Sequence, residues 1–221
     1  MDALVSLEYQ RIVDEICSWD WAGLTSEDMV AAAAAYYYFS IQFRENLEIA
    51  REEFPADEKL VQLEREECNT SNLSPWPGVA VADEKMNHDE FMRRVLNLQT
   101  IPAELQARVE KAGEEYLAAV RSQDRLSRAL SISSYEDGGL EAVFNAMLRF
   151  DNWNSDLLRA FRHFLAEHVR FDSDPDAGHG ALSRHLAPDD RVLPLWASFK
   201  RVFLACVPTL REGNRDLSAV A

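Results

Sequence analysis

Ser155-Asp-Leu-Leu-Arg-Ala-Phe-Arg-His-Phe-Leu-Ala-Glu-His-Val-Arg-Phe-Asp172 is the stretch that decides the fold class. Leu158, Phe161, Leu165, His168 and Asp172 recur at steps of 3, 4, 3 and 4, the spacing of one face of an α-helix. His168 and Asp172 therefore continue an apolar stripe, one turn apart on one face. A helix buries that stripe, so an imidazole and a carboxylate on it must be paired, neutralised or metal-bound. Taken alone, an ion pair near a helix end accounts for both. His163 falls off the stripe and is expected at the surface.

The same period runs through the chain and predicts helices at about 3–20, 26–52, 56–68, 84–98, 102–136 (broken once), 140–152, 155–171 and 189–211. Thr25 or Ser26 before Glu27 and Asp28 marks one helix start, Pro102 another, and Gly138-Gly139 a stop. No run alternates with period two long enough for a strand. The expectation is an all-α, single-domain bundle of seven or eight helices over 1–221. Two irregular stretches interrupt it, Asn69 to Asp83 and Asp172 to Gly180. The alanine run Ala31–Ala35 reads as a close helix–helix contact.

Composition narrows the function. The 221 residues carry 23 basic and 38 acidic side chains, a net charge of −15. Such a balance argues against nucleic acid or an anionic membrane as partner. A hydrophobic content of 47% argues against disorder. Met1 to Val13 shows no basic region before an apolar run, so no signal peptide is expected. The uncharged stretch Met29 to Phe43 is too short to span a bilayer. Cys17, Cys68 and Cys206 have no C-x-x-C spacing, which fits a reducing cytoplasm.

Other charged residues also fall on apolar stripes. His88 precedes Phe91, Val95 and Leu98 at steps of 3, 4 and 3. Leu60, Leu63 and Glu67 step by 3 and 4, whereas neighbouring Glu66 aligns with Lys59 and Gln62 on the solvated side. Ala129, Ile132 and Glu136 step by 3 and 4. Glu45 steps 3 and 4 after Tyr38 and Ile41. Each has an ordinary reading alone: a hydrogen-bonded core histidine, or an acid at a frayed helix end. Together they place carboxylates and imidazoles on separate helices, the ligand mix of a non-haem iron or manganese site. The Glu-x-x-His repeat of ferritin-like bundles is absent.

The order Glu67, His88, Glu136, His168, Asp172, His179 resembles the haem-oxygenase-like diiron oxidases and oxygenases. The segment Phe161 to Asp172, followed by Asp174 and His179-Gly180, is similar to that family's C-terminal His-x3-Asp…His motif. Arg65-Glu66-Glu67-Cys68-Asn69 followed by Asn87-His88-Asp-Glu-Phe91 looks like its first half, and Ser134-Tyr135-Glu136-Asp137 sits where it has a middle glutamate. The likeness covers about residues 30–210, and because some members use an extra carboxylate it makes Glu45 a candidate extra ligand. One departure is that His179 follows Asp172 by seven residues rather than three or four. Either the loop carries an insertion and Asp172 stays a ligand, or Asp176 replaces it. Asp172 is favoured because it keeps to the stripe of His168.

The resemblance implies a haem-oxygenase-like fold without haem, two Fe(II) ions and dioxygen as co-substrate. It implies N-oxygenation, desaturation or oxidative C–C cleavage of a small amine or amino acid, in specialised metabolism. Arg149, Arg159 and Arg162 are candidates to hold a substrate carboxylate, since guanidinium binds it bidentately. A homodimer is left open. The alternatives are a metal-free enzyme of the same fold, thiaminase-like or pyrroloquinoline-quinone-synthase-like, and a non-catalytic helical interaction module. Cys68 is the only candidate nucleophile for the thiaminase type.

Overall fold

The structure, a computed structural model, describes residues 8–68, 75–172 and 178–211. Among these the chain forms ten α-helices. They are α1 (Glu8–Ser18), α2 (Ser26–Glu53), α3 (Glu58–Cys68), α4 (His88–Leu96), α5 (Ala103–Arg121), α6 (Arg125–Glu136), α7 (Gly139–Met147), α8 (Asp156–Asp172), α9 (His179–Ser183) and α10 (Leu193–Cys206). Short 3-10 turns occupy Arg184–Leu186, Asp190–Val192 and Pro208–Arg211. No strand occurs among the described residues, only one isolated bridge between Trp76 and Ala80. None of these helices is long and apolar enough to cross a membrane.

The count exceeds the expected seven or eight for two physical reasons. One is the break expected within 102–136, where Asp124 caps a new helix, its carboxylate accepting from the Ser127 N–H at 2.9 Å. The segment after α8 contributes the extra short helix α9. Boundaries shift elsewhere too. Helix α4 starts at His88 rather than 84, because Glu84 closes a turn on the Val81 N–H at 3.1 Å and pairs with Arg94 at 2.8 Å. Helix α7 ends at Met147, short of 152. The Trp153 indole donates to the Phe150 carbonyl at 2.6 Å across the turn that follows.

Helix α2 is the axis of the fold and packs against α3, α4, α5, α6, α8 and α10. Thr25 and Asp28 cap its start reciprocally, each accepting from the other's backbone N–H at 3.1 Å. It is buried nearly all round, with Ala31, Ala32, Ala33 and Ala35 fully enclosed, so neighbouring helices approach its backbone closely. The helix α10 covers α1, α2 and α5, and α7 bridges α1, α6 and α8. Aromatic rings knit these layers. Phe39 meets Tyr135 at 5.0 Å and Phe199 at 4.6 Å, and Tyr135 meets Trp196 at 5.0 Å. The link from α6 to α7 is tight. Gly138 adopts φ 92°, and a side chain on Gly139 would meet the Ser134 carbonyl at 2.2 Å.

Candidate metal centre

Glu67, His88, Glu136, His168 and His179 come from five different helices and converge in the interior. Their exposures are 3%, 8%, 7%, 6% and 4%. Helix α3 buries Leu60, Leu63 and Glu67 on one face, so its stripe carries the carboxylate inward. His88 is the first residue of α4, His179 the first of α9, and Glu136 the last of α6. Only His168 lies well inside a helix.

Glu67 is the hub. Its Oε2 lies 2.8 Å from His88 Nδ1, and its Oε1 lies 2.7 Å from His179 Nδ1. On one side His88 Nδ1 is 3.3 Å from His168 Nε2. On the other, His179 Nδ1 is 3.4 Å from Glu136 Oε2. The five side chains thus form two ligand groups, Glu67/His88/His168 and Glu67/Glu136/His179. Within each, one donor atom per residue lies within 4.8 Å of the others. Both groups share Glu67. Each oxygen of this buried carboxylate meets a different histidine, so Glu67 could serve a cation in either group.

The His168 tautomer fits metal binding. His168 Nδ1 lies 2.8 Å from the Phe164 carbonyl. A carbonyl only accepts, so Nδ1 carries the proton and Nε2 turns its lone pair to the site. His88 Nε2 is buried and has no hydrogen-bond partner among the described residues. The His88 ring is instead walled edge-on by Phe164 at 5.6 Å. Phe144 stands 5.5 Å from His168, and Phe171 lies parallel to His179 at 6.5 Å. Burial pushes the Glu67 carboxyl up, but the imidazoles of His88 and His179 outweigh it and hold it well below the usual carboxylate range. Glu67 is therefore ionised, the state a cation needs. Donors of imidazole and carboxylate type, buried and crowded to hydrogen-bond distance, suit iron, manganese or zinc.

Tyr36, Phe39, Ser40, Phe43 and Leu140 complete the wall, and the free space beside the ligands is about 10 Å³. That is roughly the room one water needs. The wall residues on α2 step 3, 1 and 3, a facing stripe that was hidden because α2 is apolar on almost every side.

The remaining sequence candidates lie elsewhere. Glu45 is held by Arg121 at 3.0 Å and Arg128 at 3.2 Å, and neither ligand group includes it. It belongs to the opposite face of α2 from the cavity wall. Asp172 ends α8, and its side chain lies outside the described residues, as does Asp176. Arg149 donates to the Cys17 and Trp19 carbonyls, Arg159 pairs with Asp156 at 2.5 Å, and Arg162 is exposed. None of the three arginines lines the cavity wall. His163 is half-buried and stacks on Trp76 at 4.6 Å. Glu66 is part-exposed, yet its Oε2 reaches to 3.6 Å from His179 Nε2, a proximity that stripe periodicity did not show. The Cys68 thiol is pushed up to about 12 by burial and by the charge of Glu67, which disfavours the thiolate.

No protein-family model, curated protein or solved structure matches the chain. The site is therefore read from its own chemistry.

Proposed function

We propose that the protein is a non-haem diiron, dioxygen-dependent oxidase or oxygenase acting on a small amine or amino-acid-like substrate. One observation carries this reading: two buried ligand groups share a single carboxylate, Glu67. The resemblance of the ligand order to the haem-oxygenase-like diiron oxidases supplies the reaction class and the substrate class.

In this reading Glu67 would serve as a ligand to both of two ferrous ions. His88 and His168 complete one side, and Glu136 and His179 the other, with Asp172 as the further carboxylate expected from the sequence. Two ferrous ions so held supply electrons and open positions for the reduction of dioxygen. The protein's own part is to hold and shield. The Phe164 carbonyl fixes the His168 ring in the tautomer that presents Nε2. Phe144, Phe164 and Phe39 keep bulk water from the ligands, so charge interactions inside are strong. Among the described residues the wall carries no lysine or arginine, so a substrate carboxylate, where present, is met by groups other than those facing the ligands. Because the free space is near that of one water, substrate entry requires movement of the wall.

Two observations weigh against the metal-free alternative and the interaction module. Cys68 is a poor nucleophile at its raised pKa. A non-catalytic bundle gains nothing from burying Glu67 and Glu136 among three imidazoles, where removing water from charges is costly. The test is dioxygen uptake by protein loaded anaerobically with Fe(II). Uptake that accelerates with amines or amino acids, and disappears in His168→Ala, supports the reading. Iron-loaded protein that leaves dioxygen untouched with every such compound contradicts it.

A further inference from the structure

A second cleft lies on the outside of α2, where Tyr37 and Tyr38 face away from the cavity that Tyr36, Phe39, Ser40 and Phe43 line. It runs between α2, the end of α4 with the following turn, and α5. It encloses about 350 Å³, at the lower end of small-molecule sites. Leu96, Ile101 and Val109 make an apolar floor, and the two tyrosine rings stand at 5.3 Å and 66° to each other.

The chain is shaped to seat one of those rings. Gly113 sits inside α5, where glycine is unfavourable, and a Cβ there would meet the Tyr38 ring at 2.4 Å. Glycine at this point lets Tyr38 lie flat on the α5 backbone. The charges around the cleft are unbalanced. The guanidinium of Arg93 is engaged by Glu90 through two contacts of 2.7 and 2.8 Å. Glu110 meets a neutral donor, the Gln106 amide, at 2.7 Å. Burial, with Glu110 next, pushes the Tyr38 hydroxyl up to about 12, so the ring stays neutral and presents an electron-rich face.

We propose that this cleft binds an organic ammonium ion with a flat or aliphatic apolar body. The body occupies the floor of Leu96, Ile101 and Val109, and the cationic head lies against the tyrosine faces and the Glu110 carboxylate. The net charge of −15 adds general attraction for cations. The proposal is independent of the metal centre.

The test is calorimetric titration of the chelator-treated full chain with three probes of matched shape: 2-phenylethylammonium, 2-phenylethanol and 3-phenylpropionate. The ammonium is expected to bind about tenfold more tightly than the alcohol, and the carboxylate most weakly. Glu110→Gln, at an exposed position, removes the preference for the ammonium, and Tyr38→Leu weakens it about tenfold, whereas Tyr38→Phe retains it. Circular dichroism confirms that each variant folds. No binding to the parent, equal binding of all three probes, or ammonium binding unchanged in both Glu110→Gln and Tyr38→Leu would overturn the proposal. So would a dimer that Tyr38→Leu disperses, because the cleft would then be an interface between copies.

Discussion

Asp57 shows how much a single side chain carries at the start of a helix. Its carboxylate accepts from the Lys59 and Leu60 backbone N–H groups at 3.0 and 3.2 Å, capping α3, the helix that bears Glu67. His185 contacts the same carboxylate. Burial pushes the Asp57 carboxyl up, but the His185 contact and the N–H groups outweigh it and lower its pKa. A carboxyl whose folded pKa is depressed adds stability above its unfolded value of about 3.9, and that stability is lost as pH falls through the folded value. Asp57→Ala is expected to cost about 1 kcal/mol near neutral pH, read as a lower urea midpoint. As pH falls past the unfolded value and through the lower folded one, the difference from the parent shrinks.

At the same scale, His168 was the most legible residue of the buried cluster in the sequence, because it lies inside a helix and continues the stripe of Leu158, Phe161 and Leu165. Glu67, though near the end of α3, was legible from the stripe of Leu60 and Leu63. His88, Glu136 and His179 are the first or last residues of their helices, where a stripe has few members and periodicity says little. Their convergence is a property of tertiary packing. Spacing alone did not distinguish Glu66 from a solvated acid, because its approach to His179 depends on where α9 docks.

Among elements, the joint between α6 and α7 positions Glu136. Gly139 lies so close to the Ser134 carbonyl and the Trp196 ring that a Cβ would meet them at 2.2 and 2.8 Å. The carbonyl belongs to backbone and cannot rotate away. Gly139→Ala is therefore expected to destabilise the protein by about 1–3 kcal/mol and to weaken metal binding by moving the end of α6. Thermal unfolding with and without Fe(II) measures both effects. The sequence signalled this joint as a double-glycine stop but gave no hint of the contact with α10. Most helices were visible in the sequence because their apolar stripes are long and regular. Helix α9 was not, since five residues hold too little pattern. The facing side of α2 was hidden for the opposite reason, because burial on every side erases periodicity.

For the whole molecule, an acidic surface surrounds a core that gathers two carboxylates among three imidazoles. Without cations, the Glu67 carboxylate rests on the His88 and His179 imidazoles, which keep it ionised. Metal that binds the folded state alone must therefore stabilise it by mass action, by about 2.7 kcal/mol at a hundredfold excess over Kd. For a chain of this size that corresponds to a rise in melting temperature of about 5–10 °C. Anaerobic Fe(II) should produce the rise and a chelator should reverse it, followed by circular dichroism. A melting temperature unmoved by Fe(II) would mean that no metal enters the folded core.

The measurement that bears most directly on the shared carboxylate is iron stoichiometry by anaerobic equilibrium dialysis of parent, His168→Ala and Glu67→Ala. Glu67 belongs to both ligand groups and His168 to one. The account predicts about two irons per chain in the parent, one tightly held iron in His168→Ala, and loss of tight binding at both positions in Glu67→Ala. Iron bound to Glu67→Ala as tightly and as fully as to the parent would contradict it.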